Sequence, residues 1–256
     1  MAVDLHRRFL AGELKGPESH EVNPGLGRGT RDNYLYFTLS CCLNFQRNSP
    51  RLWQSALATF QDPETRYLFF PEQVHGVSEE RVAADLFRHR LAIQRTKHPR
   101  IWRAISRTLH EHYDSDPRMV LAEGGLEVGR TLDILQVTKK QLFPYLGGPK
   151  LSNYWLFILT SFTDVRLRDP ERISIIPDVH VIRSSVRIGL VEEGATPLEV
   201  ERAWTSVLAA TGIPPGEMHS ALWRWSRARF ESADTIKRSD WSPPTTLPGL
   251  DLPPSA

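Results

Sequence analysis

An all-α fold is predicted for this chain of 256 residues. Apolar residues recur at helical spacing through most of it, no stretch alternates as a half-buried strand does, and no repeat appears. The length allows a substantial core in one large domain or two small ones. The expected organisation is an N-terminal arm over residues 1–30, a helical domain over 31–230 and a proline-rich tail over 231–256, with five prolines after Trp241.

Residues 1–30 carry Gly and Pro and are weakly periodic, which predicts a loose arm with one short helix. NYLYFTLSCCLNFQ, from Asn33 to Gln46, is apolar nearly all round and predicts a buried helix. Pro50 opens a second, with Leu52, Trp53, Ala56, Leu57 and Phe60 on one stripe. Residues 62–77 read as an irregular connector. Ser78 caps the next helix, and HPRIWRAISRTLHEHY continues the period through Ile101, Trp102, Ile105 and Leu109. After a break at DSDPRMVLAEGG, TLDILQVTKKQLFPY predicts a short amphipathic helix ended at Pro144. A Gly147-Gly148-Pro149 turn then leads into an apolar helix that opens on Lys150. TDVRLRDPERIS is a polar insertion. Asp178 stands as an N-cap before Val179, Ile182, Val186 and Leu190. Thr196, Pro197 and Glu199 spell a capping box, and PPGEMHSALWRWSRARF is a last amphipathic helix.

The 32 basic and 30 acidic residues leave a net charge of only +2, so bulk charge does not announce a nucleic-acid binder, although a local basic face is compatible with it. Cys41 and Cys42 are read as buried thiols; they cannot build a disulfide framework, a zinc site or an iron–sulfur cluster. No metal or cofactor is expected. The N-terminus lacks the apolar core of a signal peptide, and no run of about 20 apolar residues can span a bilayer. A monomer in the cytoplasm is the expectation.

Lys150 poses the functional question. A cation at a helix N-terminus faces the positive end of the macrodipole, at a cost of a few tenths of a kcal/mol or more. Either it reaches into solvent, or the site calls for an amine that loses its proton readily.

Helix, short Gly-containing hairpin, helix, then Asp at the head of the next helix: this order resembles the helix–hairpin–helix superfamily of DNA glycosylases. The matching residues are Gly148-Pro149-Lys150 and Asp178-Val179-His180. The resemblance covers residues 130–190 by motif. It implies a two-lobed helical fold with a cleft between lobes, Lys150 as Schiff-base nucleophile and Asp178 as catalytic carboxylate. Two departures are visible. The first hairpin glycine position is Leu146, and Asp178 follows the lysine by 28 residues, about ten more than in the endonuclease III-like branch. An insertion there resembles the archaeal 8-oxoguanine DNA glycosylase (AGOG) branch. So do LNFQ before a polar turn and a Trp, and an aromatic one turn after the lysine. That likeness implies base-pocket roles for Gln46 and Tyr154.

The chemistry is consistent with those roles. Breaking a nucleoside C1′–N bond develops positive charge on the sugar, which a carboxylate such as Asp178 can stabilise. A neutral amine captures C1′ as a Schiff base, which can eliminate and nick the strand; the helix head and desolvation by Trp155 and Phe157 are expected to favour deprotonation. The target base must leave the duplex. Gln46 can donate and accept at a purine edge. Tyr154, Trp102, Trp223 and Trp225 are candidate stacking faces, and Gly147, Gly148, His180 and Arg183 candidate DNA contacts, with Arg187, Arg224, Arg227 and Arg229 as further phosphate partners.

Each residue also has an ordinary reading. Lys150 can be a surface lysine, Asp178 a cap, His180 a structural hydrogen-bonder, Gln46 a turn cap, the tryptophans core, and the arginines solvated charge. The expected function is excision of an oxidised purine, 8-oxoguanine first, from damaged double-stranded DNA near the nucleoid, with lyase activity. The rivals are an N-glycosidase acting on a free modified nucleoside, of queuosine-salvage type, and a non-catalytic helix–hairpin–helix DNA-binding module.

Overall fold

The computed structural model describes residues 2–17 and 21–231; all but the first residue of the expected tail lies outside them. In chain order the helices are α1 (Ala2–Leu10), α2 (Arg31–Cys42), α3 (Ser49–Gln61), α4 (Pro71–His75), α5 (Glu79–Arg88) and α6 (Lys97–His112). They continue as α7 (Pro117–Glu123), α8 (Val128–Asp133), α9 (Pro149–Phe162), α10 (Val179–Arg187), α11 (Pro197–Leu208) and α12 (Pro215–Arg227). No strand occurs among the described residues, so the all-α expectation holds. None of the described helices is long and apolar enough to cross a membrane.

The chain divides into two compact units, one of residues 19–173 and one joining residues 1–18 to 174–256. The larger unit is built around α2, whose residues from Asn33 to Cys42 are all buried. Such a helix needs partners on every side, and aromatic rings supply them. Tyr36 meets Phe37, Trp53, Phe60 and Phe69 at ring-centroid distances of 5.1, 6.1, 5.5 and 5.4 Å. Each fully buried ring contributes on the order of 1.5–3 kcal/mol. Polar atoms that enter this core are paired: the Trp155 indole N–H donates to Thr38 Oγ1 at 2.9 Å, and Trp102 donates to the Leu68 carbonyl at 2.9 Å. Cys41 and Cys42 are free and buried, and burial pushes both thiols up.

The smaller unit packs α1, α10, α11 and α12 around Val181, Val200, Trp204, Met218 and Leu222. Here the expected arm is corrected. Leu5 and Leu14 are 1 % and 2 % exposed, so the first residues form part of this core. Their short amphipathic pattern was too brief to reveal a partner, α12, that lies far along the chain. Two local differences also stand out. The connector 62–77 contains a 3-10 turn at Arg66–Phe69 and α4. The predicted helix before Pro144 breaks into α8, a π-helical turn at Ile134–Thr138 and a 3-10 turn at Lys140–Leu142.

Candidate active site

The π turn matters because the hairpin rests on it. A Cβ added at Gly147 would lie 2.3 Å from the Leu135 carbonyl oxygen, so only glycine allows this approach. The hairpin is held by its own backbone: Gly147 N donates to Phe143 O at 2.8 Å, and Gly148 N to Tyr145 O at 2.9 Å. Gly148 is the N-cap of α9 with φ −82° and ψ 144°, an extended backbone, and no side chain caps this helix. Pro149 occupies the first turn, where its missing N–H costs nothing. Behind the turn, Asn153 Nδ2 donates to Pro149 O at 2.8 Å, Ser152 Oγ to Gly148 O at 3.0 Å, and Gln136 Nε2 to Ser152 Oγ at 2.7 Å. At this helix head the amides of Lys150 and Leu151 have no hydrogen-bond acceptor among the described residues of the unit.

Lys150 is exposed there, while Leu151 through Leu156 are buried. No described residue of its unit forms an ion pair or hydrogen bond with its side chain. The expected desolvation by Trp155 is not met, since Trp155 turns into the core at 1 % exposure. Tyr154, one turn beyond Lys150, is 5 % exposed. Its hydroxyl donates to Glu21 Oε1 at 2.7 Å and accepts from Trp53 Nε1 at 3.1 Å, and burial, then the Glu21 and Cys41 charges, push its phenol up. The hydroxyl is therefore committed to the protein, and the ring offers no open face in this conformation. Glu21 escaped the sequence reading: it sits in the supposed arm, 133 residues from its partner, and no local pattern marks it.

In the other unit, Asp178 caps α10. Its Oδ1 accepts from the N–H groups of His180 at 2.8 Å and Val181 at 2.9 Å. Its Oδ2 has no hydrogen-bond partner among the described residues of that unit. One oxygen is thus fixed by the backbone and the other is available. His180 stands beside it, its Nδ1 3.1 Å from Ser226 Oγ and its ring edge-on to Trp223 at 5.8 Å. Burial, opposed by Asp178 and reinforced by Arg227, Arg183 and His219, holds this imidazole below its usual value. Trp223 is half-buried with the Arg227 guanidinium 5.6 Å from its ring, and Arg183 is exposed. None of Arg183, Arg187, Arg224, Arg227 and Arg229 forms an ion pair among the described residues.

The expected site residues therefore fall into groups. Asp178, His180, Arg183 and Trp223 gather at the head of α10 and on α12; Gly147, Gly148, Lys150 and Tyr154 gather at the head of α9. Three stacking candidates are corrected: Tyr154, which is buried, and two tryptophans. Trp102 is 0 % exposed and Trp225 3 %, so both are core residues. Gln46 is exposed in a left-handed backbone conformation at φ 49°, in the loop after α2. Among the described residues no group of three His, Cys, Asp or Glu side chains can hold a metal ion.

No protein-family model matches this chain, and no curated protein does. Among solved structures, a trapped endonuclease III–DNA covalent intermediate, an estranged-adenine complex, is similar to it. The likeness has a TM-score of 0.51 and 17 % identity, and covers 88 % of this chain and 82 % of that one. The fold is endonuclease III-like. At this identity the likeness speaks for the fold, and the hairpin before α9 and the capped Asp178 are this chain's own residues placed on it.

Proposed function

We propose that this chain is a DNA glycosylase with associated β-elimination lyase activity, acting on an oxidised purine in duplex DNA, with 8-oxoguanine the first candidate, and that it lies nearest the archaeal 8-oxoguanine branch. The observation that carries the reading is the presence of two chemistries at helix heads, one in each unit: an exposed primary amine, Lys150, after a glycine hairpin, and a carboxylate, Asp178, with one oxygen held by two backbone N–H groups. The similar solved structure supports it, because that protein was trapped covalently on DNA.

In this mechanism Asp178 stabilises the positive charge that develops at C1′ as the C1′–N bond lengthens. The base leaves with the bonding electrons and takes up a proton. The lone pair of unprotonated Lys150 forms the new bond to C1′, the sugar ring opens, and the nitrogen becomes a protonated Schiff base. Removal of a C2′ proton then expels the 3′ phosphate, breaking the strand, and water releases the lysine. The open amides at the hairpin hold a phosphate oxygen, and the cations Arg183 and Arg227 neutralise the flanking backbone. Gln46 contacts the edge of the lesion.

Borohydride trapping over a lesion panel tests the reading. An adduct on an 8-oxoguanine duplex that vanishes in Lys150→Ala is expected. Base release from a free nucleoside without any adduct would favour a salvage N-glycosidase, and salt-sensitive DNA binding with neither activity would favour a simple binding module.

A further inference from the structure

Five residues before Lys150, the tip of the hairpin carries an aromatic side chain in an awkward place. Tyr145 has φ 64°, a left-handed conformation that glycine adopts freely and a tyrosine does not. It nevertheless keeps 38 % of its surface exposed. Its ring stacks on Phe45, from the loop after α2, with centroids 4.3 Å apart and planes 17° from parallel. His98 supports Phe45 from the edge at 5.1 Å.

Cations surround this pair. Lys97 Nζ lies 5.4 Å from the Tyr145 ring centroid and 5.9 Å from that of Phe45. Arg47, two residues after Phe45, donates to the Leu91 carbonyl at 2.6 Å and the Arg90 carbonyl at 3.3 Å. None of Arg47, Arg90 and Lys97 forms an ion pair among the described residues. Flat, half-exposed rings amid unpaired positive charge are what an unstacked nucleobase and its phosphate require: the ring offers a π face to any base, and the cations take the backbone. An acidic peptide would use the cations but gain nothing from the stacked face, so the rings favour nucleic acid.

We infer that Phe45 and Tyr145, with Lys97 beside them, form a stacking platform for an unpaired base of the DNA substrate, separate from the site where the lesion reacts. Because Tyr145 and Lys150 belong to one hairpin, a base held on the platform sets the register of the strand relative to the amine. The inference rests on the DNA-glycosylase reading.

The test uses the full chain and duplexes containing a stable abasic analogue, with 2-aminopurine as the unpaired base. The wild type should quench 2-aminopurine and bind this duplex more tightly than an intact one. Tyr145→Leu and Phe45→Leu should each abolish the quenching and lose about ten-fold in affinity for the abasic duplex, with intact duplex changed less. Tyr145→Phe, which keeps the ring, should restore both. Lys97→Met should lower the slope of log affinity against log salt by about 1. A Tyr145→Leu protein that quenches and binds like the wild type would overturn the platform even where the wild type still traps at Lys150. A wild type that binds no DNA and forms no adduct would instead overturn the glycosylase reading beneath it.

Discussion

The helices α9 and α10 begin in opposite ways. At α10 the Asp178 carboxylate accepts two backbone N–H groups and faces the positive end of the helix, so the residue proposed for the chemistry also stabilises the fold. At α9 no side chain caps the helix, and Lys150 brings a cation to an end that already carries positive charge. The comparison teaches that an acid at a helix head is recruited at no structural cost, whereas an amine there is tolerated only because the hairpin holds the backbone without its help. Stability and function should therefore separate cleanly at Lys150 and overlap at Asp178.

The largest effect expected is total. Lys150→Ala should give no borohydride-trapped adduct, while its unfolding free energy stays within about 0.5 kcal/mol of the wild type, since an exposed side chain without a partner in its unit is removed. Asp178 needs two variants to part its roles. Asp178→Asn preserves the cap, because asparagine is as good an N-cap as aspartate, yet excision should fall about a hundred-fold or more. Asp178→Ala should lose the same activity and also about 1 kcal/mol of stability, measured by denaturant titration. Undiminished excision by Asp178→Asn would reduce the residue to a cap and break the comparison.

Much of α10 was legible because its signals are local: Asp178, like Ser78 and Thr196, announces a helix within three residues of itself, and all three caps form as read. The α9 hairpin was legible in outline from Gly147, Gly148 and Pro149. Its support was not. The π turn that receives Gly147, the Glu21–Tyr154 bond and the Phe45–Tyr145 stack each join segments distant in sequence, and periodicity carries no information about such pairs. Trp102 shows the same limit: a tryptophan on an apolar stripe reads alike whether it meets a base or, as here, the Leu68 carbonyl in the core.

The hairpin's support can be probed directly. Gly147→Ala should cost about 2 kcal/mol, because the new methyl meets the Leu135 carbonyl and one backbone must move. Gly148→Ala should cost distinctly less, since its Cβ would sit 3.1 Å from the Tyr145 carbonyl and the gap opens by a small shift. Equal losses would mean that the π turn is not what holds the hairpin.

The two units also differ in how they bury histidine. His180 has Asp178 to oppose the effect of burial. His98 has no carboxylate: burial, then Arg47 and Lys97, push it down to about 4, and its Nδ1 accepts from the Ile93 N–H at 3.2 Å, which places the proton of the neutral ring on Nε2. Its folded value lies below the unfolded one near 6.5, so the unfolded chain takes up the proton first. Stability should be unaffected by this group above pH 6.5 and fall by on the order of 1–3 kcal/mol as the pH drops from 6.5 to 4. His98→Gln should flatten the stability profile in that window, read from melting temperatures across pH.

The smallest effect is the most direct measure of the contrast between the helix heads. Lys150→Glu replaces a cation that opposes the α9 dipole with an anion that complements it, at a site with open amides and no side-chain cap. The variant should be inactive and yet more stable than the wild type by about 0.3–1 kcal/mol, a rise of about 1–3 °C in Tm at this chain length. The gain should shrink in high salt, because the interaction is exposed and screened. A fall in Tm of the same size would show that Lys150 makes a favourable contact that offsets the dipole. The amine would then be at home on α9 as Asp178 is on α10, and its position would no longer single it out as a residue kept for chemistry.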